Sequence, residues 1–216
     1  MIGSHLYVTS TRPDVKHVVC QAARFQTSPK ASHLLAVKRI LRYLKGKTEY
    51  GLWYPKGNHL DLYAFNDADW AGCVDDRKST SGATFYLGGC PVSWSSKKQS
   101  TVTLYTVEVE YIATANCWTQ ILWMKHMLVD IHIHYDDPIP IFCDNTSAIN
   151  ISKKPVMHSK TKHIPIKFHF LREKVSNNTI KMEYDGTKNQ IVDIFTKPLP
   201  KMQFESLRDQ LGVFPL

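Results

Sequence analysis

Two periods of apolar and polar residues divide this chain. Leu34, Val37, Leu41 and Leu44 recur at helical spacing, while Lys38, Arg39, Arg42 and Lys45 fall mostly elsewhere on the cylinder. Ser28 suits the N-cap of that helix, Pro29 its first position and Gly46 its end. The pattern predicts an amphipathic helix whose apolar face needs something to pack on. The cluster Pro55-Lys56-Gly57-Asn58 reads as a turn, and beyond it strand-like segments begin. Segments 60–66, 83–87 and 92–95 predict strands, the second bounded by Gly82 and Gly88-Gly89. A long helix is predicted over 107–129, with Tyr111, Ala115, Trp118, Leu122 and Met124 toward a core. Then follow a short buried strand (139–143), a short helix from near Thr146, a helix over 164–174, a strand over 180–184 and a last short helix over 192–196, stopped by Pro198. The order β-β-β-α-β-α-α-β-α predicts an α/β fold, a mixed sheet with helices on its faces.

Composition narrows the class. Hydrophobic residues make up 43% of 216, enough for a sizeable core. No apolar run reaches membrane-spanning length, and no secretory leader pattern opens the chain. Five scattered cysteines, none in a Cys-x-x-Cys pair, fit reduced thiols in a cytosolic or nuclear protein and give no disulfide or zinc framework. The net charge of +8 is unevenly placed. Residues 1–58 hold ten lysines and arginines against two acids, and residues 59–216 balance seventeen against seventeen. A localised basic excess suggests a surface for phosphates; a solvated face with no partner is the plainer reading.

Four acids fall where predicted elements end or begin. Asp67 follows the first strand, Glu108 opens the long helix, Asp144 ends the strand 139–143 and Asp193 opens the final helix. Clustered carboxylates suit a hard divalent cation such as Mg²⁺, which takes oxygen ligands in octahedral geometry. Without a cation they would repel, and one would tend to take up a proton. Spacing alone does not separate this set from unrelated surface acids.

The strings themselves say more. Asn66-Asp67-Ala68-Asp69-Trp70-Ala71-Gly72, then Asp76-Arg77-Lys78-Ser79-Thr80-Ser81-Gly82, resemble the first-strand motif of copia-type retrotransposon ribonuclease H domains. Val92-Ser93-Trp94-Ser95-Ser96-Lys97-Lys98-Gln99 resembles the third strand, Glu108-Val109-Glu110-Tyr111-Ile112-Ala113 the catalytic helix start, and Cys143-Asp144-Asn145-Thr146-Ser147-Ala148-Ile149 the fourth strand. Thr161-Lys162-His163-Ile164 and Asp193-Ile194-Phe195-Thr196-Lys197-Pro198-Leu199 are similar to the C-terminal signatures. Met1-Ile2-Gly3-Ser4, Ser10-Thr11-Arg12-Pro13-Asp14 and the run from Ala36 to Gly46 resemble the end of the same family's reverse transcriptase.

The resemblance implies a Pol polyprotein piece, or a gene fragment derived from one. Residues 1–58 would be a helical thumb or connection remnant, 59–200 a ribonuclease H domain with a five-stranded mixed sheet, and 201–216 a tail. It implies that Asp67, Glu108, Asp144 and Asp193 bind two Mg²⁺ ions, with Mn²⁺ able to substitute, and hydrolyse the RNA strand of an RNA–DNA hybrid. Asp69 and Glu110 are near-duplicates. Helix residues two apart point roughly 200° apart, so Glu108 and Glu110 cannot both face one site; the resemblance favours the first of each pair. Lys38, Arg39, Arg42, Arg77, Lys78, Lys162 and His163 are candidate nucleic-acid contacts. Partners would be the hybrid and the rest of the reverse transcriptase, without a membrane, in a cytoplasmic virus-like particle or the nucleus. A catalytically inactive, nucleic-acid-binding relic is the alternative, and a subdomain folding only against its polymerase is a third.

Several residues depart from the family pattern. Tyr105 and Val107 are bulky beside the glutamate, Pro165 stands where an acid is usual, and His5 replaces an apolar residue. Tyr135-Asp136-Asp137 mimics a polymerase triplet but precedes Pro138 in a helix-to-strand loop. His158, His163 and His169 lack the ligands to complete a zinc set. The basic run from Lys153 to Lys174 is a solvated face or a hybrid-binding strip. Trp70, Trp94, Trp118 and Trp123 read as core rather than as base-stacking platforms.

Overall fold

The computed structural model describes residues 1–57, 59–73, 75–153, 179–186 and 190–216. The predicted helix over 164–174, Pro165 and the three histidines therefore lie outside the described residues.

Five strands form one mixed sheet: β2 (Leu62–Asp69), β3 (Thr80–Leu87), β4 (Cys90–Lys98), β5 (Ile139–Cys143) and β6 (Ile180–Tyr184). Their spatial order is β4-β3-β2-β5-β6. The pairs β2/β3 and β3/β4 are antiparallel, while β2/β5 and β5/β6 are parallel. An antiparallel meander extended by two parallel strands is the ribonuclease H-like arrangement. The short connections dictate its first half, and the helical crossovers its second. Helix α4 (Thr106–Asp130) provides the first crossover, and α5 (Thr146–Lys153) follows β5.

The sheet buries both faces, which is why β3 is buried at seven of its eight positions rather than at alternate ones. On one face, Leu62, Ala64, Phe85 and Ile141 pack against Tyr111, Trp118 and Ile121 of α4 and Ile149 and Ile151 of α5. Trp118, at 1% exposure, fills this core as expected; Trp94 is partly buried, and Trp70 and Trp123 lie at the surface instead. On the other face, Tyr86 packs with Val192, with Ile194 and Phe195 of α6 (Asp193–Thr196), with Leu207 of α7 (Lys201–Gln210) and with Leu211 just after it. The segment 201–216, expected as a tail, is thus a core helix followed by β7 (Val213–Pro215), which pairs antiparallel with β1 (Tyr50–Leu52).

The N-terminal segment is α1 (Ile2–Val8), α2 (Lys16–Ala23) and α3 (Ala31–Lys45). Helix α3 begins after Lys30, not at Ser28, because His33 Nδ1 accepts the Lys30 backbone N–H. Its Ile40, Tyr43 and Leu44 pack against Val15 and Val19, and Val37 is buried as well; Leu34 and Leu41 stay exposed. The polar edge of this packing is closed. Asp14 accepts from Arg12 at 2.7 Å and from the Tyr43 hydroxyl at 2.7 Å, and Tyr43 meets Phe204 of α7 edge-on. His5 is buried, bonded through Nδ1 to Met1 O. All five cysteines are free, and no described helix is long and apolar enough to cross a membrane.

Candidate active site

Parallel pairing of β2 and β5 brings their C-terminal ends to one edge of the sheet, where ligands of such sheets bind. The register Ala64↔Ile141, Phe65↔Phe142, continued two residues, sets Asp67 beside Asp144. Asp67, two residues before the end of β2, is 4% exposed because α6 covers it. That approach depends on Gly82, the cross-strand partner of Asp67. A Cβ at Gly82 would lie 2.7 Å from Thr196 Cγ2, 2.7 Å from Val192 Cγ1 and 3.0 Å from Phe195 Cβ. Glycine alone lets α6 sit that close. Thr196 Oγ1 then donates to Asp67 Oδ2 at 2.5 Å, with the Asp193 charge close enough to raise the Asp67 carboxyl.

The long helix contributes a different glutamate from the one expected. Glu110 Oε1 accepts the backbone N–H of Ala68 at 3.3 Å, and Glu110, Cys143 and Asp144 each place a ligand atom within 4.8 Å of the others. Glu108 faces away, its Oε2 accepting the N–H of Leu104 at 3.1 Å, where it ties down the loop that enters the helix. The structure thus brings together Asp67, Asp144, Asp193 and Glu110 and leaves Glu108 outside. The physical reason is helical phase. At about 100° per residue, Glu110 falls in line with Cys117, Ile121, Met124 and Leu128, which pack on the sheet, whereas Glu108 lies on the opposite side of the helix. Tyr105 caps the helix half-exposed, and Val107 packs partly buried on the core, so neither crowds the carboxylates.

The electrostatics are those of crowded acids. Burial first, then the charges of Asp67 and Asp144, hold the Glu110 carboxyl well above the ordinary range. Asp67 is raised by burial and by Asp193, against the Thr196 hydrogen bond. Asp193 is raised by burial, against its ion pair with Lys197 at 2.8 Å. Asp69, two residues beyond Asp67 on the strand, is raised by burial and by Asp67. Burial works against the Lys197 ammonium, but its pairing with Asp193 and the charges of Asp67 and Asp144 outweigh it and push its pKa up. Glu110 Oε2 is buried with no hydrogen-bond partner. Gln190 Nε2 donates to Asn66 O at 3.0 Å, and Asn66 Nδ2 to Thr114 at 3.0 Å, which fixes the strand between α4 and α6.

An all-oxygen set of buried, mutually repelling carboxylates, one of them with an unpartnered oxygen, fits a hard divalent cation. Burial pushes the Cys143 thiol up, so its sulfur stays protonated and does not compete. Sequence reasoning missed Thr196 and Lys197; the spacing Asp193-x-x-x-Lys197 on one helix face was the available signal. Of the candidate nucleic-acid contacts, Lys38, Arg39 and Arg42 are exposed on α3. Arg77 (exposed) and Lys78 (partly exposed) lie on the loop that follows Asp69. Lys162 and His163 lie outside the described residues.

No family model matches the chain. Among curated proteins it is 41% identical over 213 residues to the retrovirus-related Pol polyprotein from transposon RE1 of Arabidopsis thaliana, with 99% of this chain and 14% of that protein covered. The chain belongs to the copia-type retrotransposon Pol polyproteins. Its likeness to the Pol polyprotein from transposon TNT 1-94 of Nicotiana tabacum is 38% identity over 213 residues, with 98% of this chain and 16% of that protein covered. This Pol segment thus spans about one-seventh of the length of these two relatives. Among solved structures, the N-terminal RNase H domain of a Mycobacterium tuberculosis protein has a TM-score of 0.39 and 8% identity, covering 69% of this chain and 98% of that one. The ribonuclease H-like fold of this Pol segment rests on its own strand order and directions.

Proposed function

We propose that this segment is the nuclease part of a retrotransposon Pol polyprotein, cutting the RNA strand of RNA–DNA hybrids with two Mg²⁺ ions held by Asp67, Glu110, Asp144 and Asp193. One observation carries the reading. Four carboxylates from four separate elements converge at one sheet edge, three of them raised by burial and one another's charge, around the unpartnered Glu110 Oε2. Divalent ions bound there would activate a water and stabilise the leaving oxygen, giving a 3′-hydroxyl and a 5′-phosphate. Mn²⁺ would substitute.

The chain's own groups do the rest. Thr196 orients the Asp67 carboxylate, and the Ala68 N–H orients Glu110. Lys197 offsets the negative charge without filling the set. Residues 1–58 are read as the end of the reverse transcriptase and 59–200 as the nuclease. The hybrid would be held by its backbone, groove shape and 2′-hydroxyls, through the exposed Lys38, Arg39, Arg42 and Arg77, with binding that weakens as salt rises. The segment would act in a cytoplasmic particle or the nucleus.

Cleavage of an end-labelled hybrid with Mg²⁺, set beside an Asp144→Asn control, is the test. Metal-dependent cutting that the control lacks supports the reading. Binding of the hybrid without cutting by either protein identifies a nucleic-acid-binding relic, and equal cutting by both removes this site from the chemistry.

A further inference from the structure

We infer that His17 is a positioning residue for the carboxylate-bearing helix, so that the N-terminal segment builds part of the nuclease site; the inference rests on the hybrid-cleavage reading of that site. Helix α6 has four residues, too few to hold its own conformation. Its position is therefore set by what it touches. Asp67, Gly82 and Ser96 form one row across β2, β3 and β4, and α6 lies over that row at Gly82.

At the end of the row stands α2. His17 is 6% exposed, with Nδ1 2.9 Å from Phe195 O and 3.3 Å from Ser96 Oγ. A carbonyl only accepts, so Nδ1 carries the hydrogen. Phe195 O belongs to the last turn of α6, whose carbonyls have no partner within the helix. Burial holds the imidazole neutral, with the Phe195 bond opposing and Arg24 reinforcing. His17 thus caps α6 from outside, with Asp193 two residues before the capped carbonyl and Thr196 one after it.

Helix α2 is itself fixed to the sheet. Arg24 donates to Thr80 Oγ1 at 3.2 Å, Trp94 Nε1 donates to Thr9 O at 2.8 Å, and Val19 is fully buried against Val15 and Ile40. A strut of this kind couples the reverse-transcriptase end of the chain to the carboxylate geometry. Glu110 and Asp144 come from other elements and do not depend on it.

Three variants of the full chain test the inference: His17→Ala, His17→Asn and Val19→Ala. Asparagine places an N–H donor close to the position of Nδ1, alanine places none, and Val19→Ala loosens the same helix without touching the hydrogen bond. On a labelled hybrid, well below the melting temperatures, His17→Ala should lower kcat roughly ten- to a hundredfold, the scale of a misplaced reacting group. Its KM for hybrid should stay within about twofold, and its Mg²⁺ requirement should rise. His17→Asn should recover most of kcat, and Val19→Ala should lower Tm with a smaller loss of kcat than His17→Ala. A kcat for His17→Ala no lower than that of Val19→Ala, or His17→Asn as impaired as His17→Ala, overturns the inference. If the parent chain cuts no hybrid, the nuclease reading fails by itself, and the Mg²⁺-induced rise in Tm decides about His17. A rise reduced in His17→Ala and restored in His17→Asn sustains the strut, and equal rises in all three discard it.

Discussion

Replacing Glu110 with glutamine tests the site where sequence and structure disagree. Glutamine keeps the oxygen that accepts the Ala68 N–H and removes the charge that Asp67 and Asp144 oppose. Two opposite effects follow. In the metal-free protein the folded-state pKa of Glu110 lies well above its unfolded value, so at pH 7 ionisation there works against folding. The glutamine variant should therefore melt higher than the parent in EDTA. With Mg²⁺ the order reverses. A ligand at a hundredfold its Kd stabilises by about 2.7 kcal/mol. A chain of this size gains about 2–4 °C in Tm per kcal/mol, so the parent should gain roughly 5–10 °C. Outer-shell changes at metal sites typically weaken binding by about ten- to a hundredfold, a lower bound for a direct ligand. At the same Mg²⁺ concentration the gain should fall to about half at tenfold weaker binding and to about a sixth at a hundredfold.

Glu108→Gln is the paired control. Its amide oxygen still accepts the Leu104 N–H, and only the favourable charge in the first helical turn is lost, about 0.3–1 kcal/mol. It should melt slightly lower, keep the full Mg²⁺ gain and keep hybrid cleavage, whereas Glu110→Gln should lose at least about 10²-fold in rate. Differential scanning fluorimetry in EDTA and in Mg²⁺ reads the first two quantities. The reasoning is refuted if Glu108→Gln loses the metal gain while Glu110→Gln retains it.

Other outcomes follow from the same geometry. Gly82→Ala should cost about 1–3 kcal/mol by overpacking against Thr196 and Val192, read as a lower Tm, and should reduce cleavage at temperatures where it stays folded. Lys197→Met removes the ammonium paired with Asp193; because that lysine is partly exposed, the metal-free loss should be no more than about 1 kcal/mol, while the Mg²⁺ gain should increase because no resident cation competes. In EDTA, lowering the pH toward the ordinary carboxylate range should favour folding through Glu110, Asp67 and Asp193, whose raised carboxyls lose a charge that opposes it, and saturating Mg²⁺ should flatten that dependence. Below about pH 6.5 the lowered pKa of His17 contributes with the opposite sign, so His17→Asn should melt higher relative to the parent as the pH falls through that range.

How far the site was legible depends on what each residue needs as a partner. Strands 139–143 and 180–184 stand out as isolated apolar runs, and the structure begins and ends them at those residues. The first strand is expected to end at Asn66, where polarity begins, yet β2 continues to Asp69. The pairing of Asp67 with Gly82 and Asp69 with Thr80 comes from a segment too polar to announce itself. Helix α7 is hidden in the sequence although Phe204, Leu207 and Leu211 keep helical spacing, since a short stretch after two prolines reads as tail until something covers it. Between Glu108 and Glu110, motif order points to the first, while helical phase puts Glu110 in line with Cys117, Ile121 and Leu128, the apolar positions that face the sheet, and Glu108 opposite them. His17 had no such signal. Its role exists only because a helix from the first twenty-five residues and a carbonyl near the end of the chain meet across the edge of the sheet, a contact spanning 178 positions that no local pattern encodes. The carboxylates are thus readable one element at a time, while the groups that aim them become visible only when the sheet brings distant segments together.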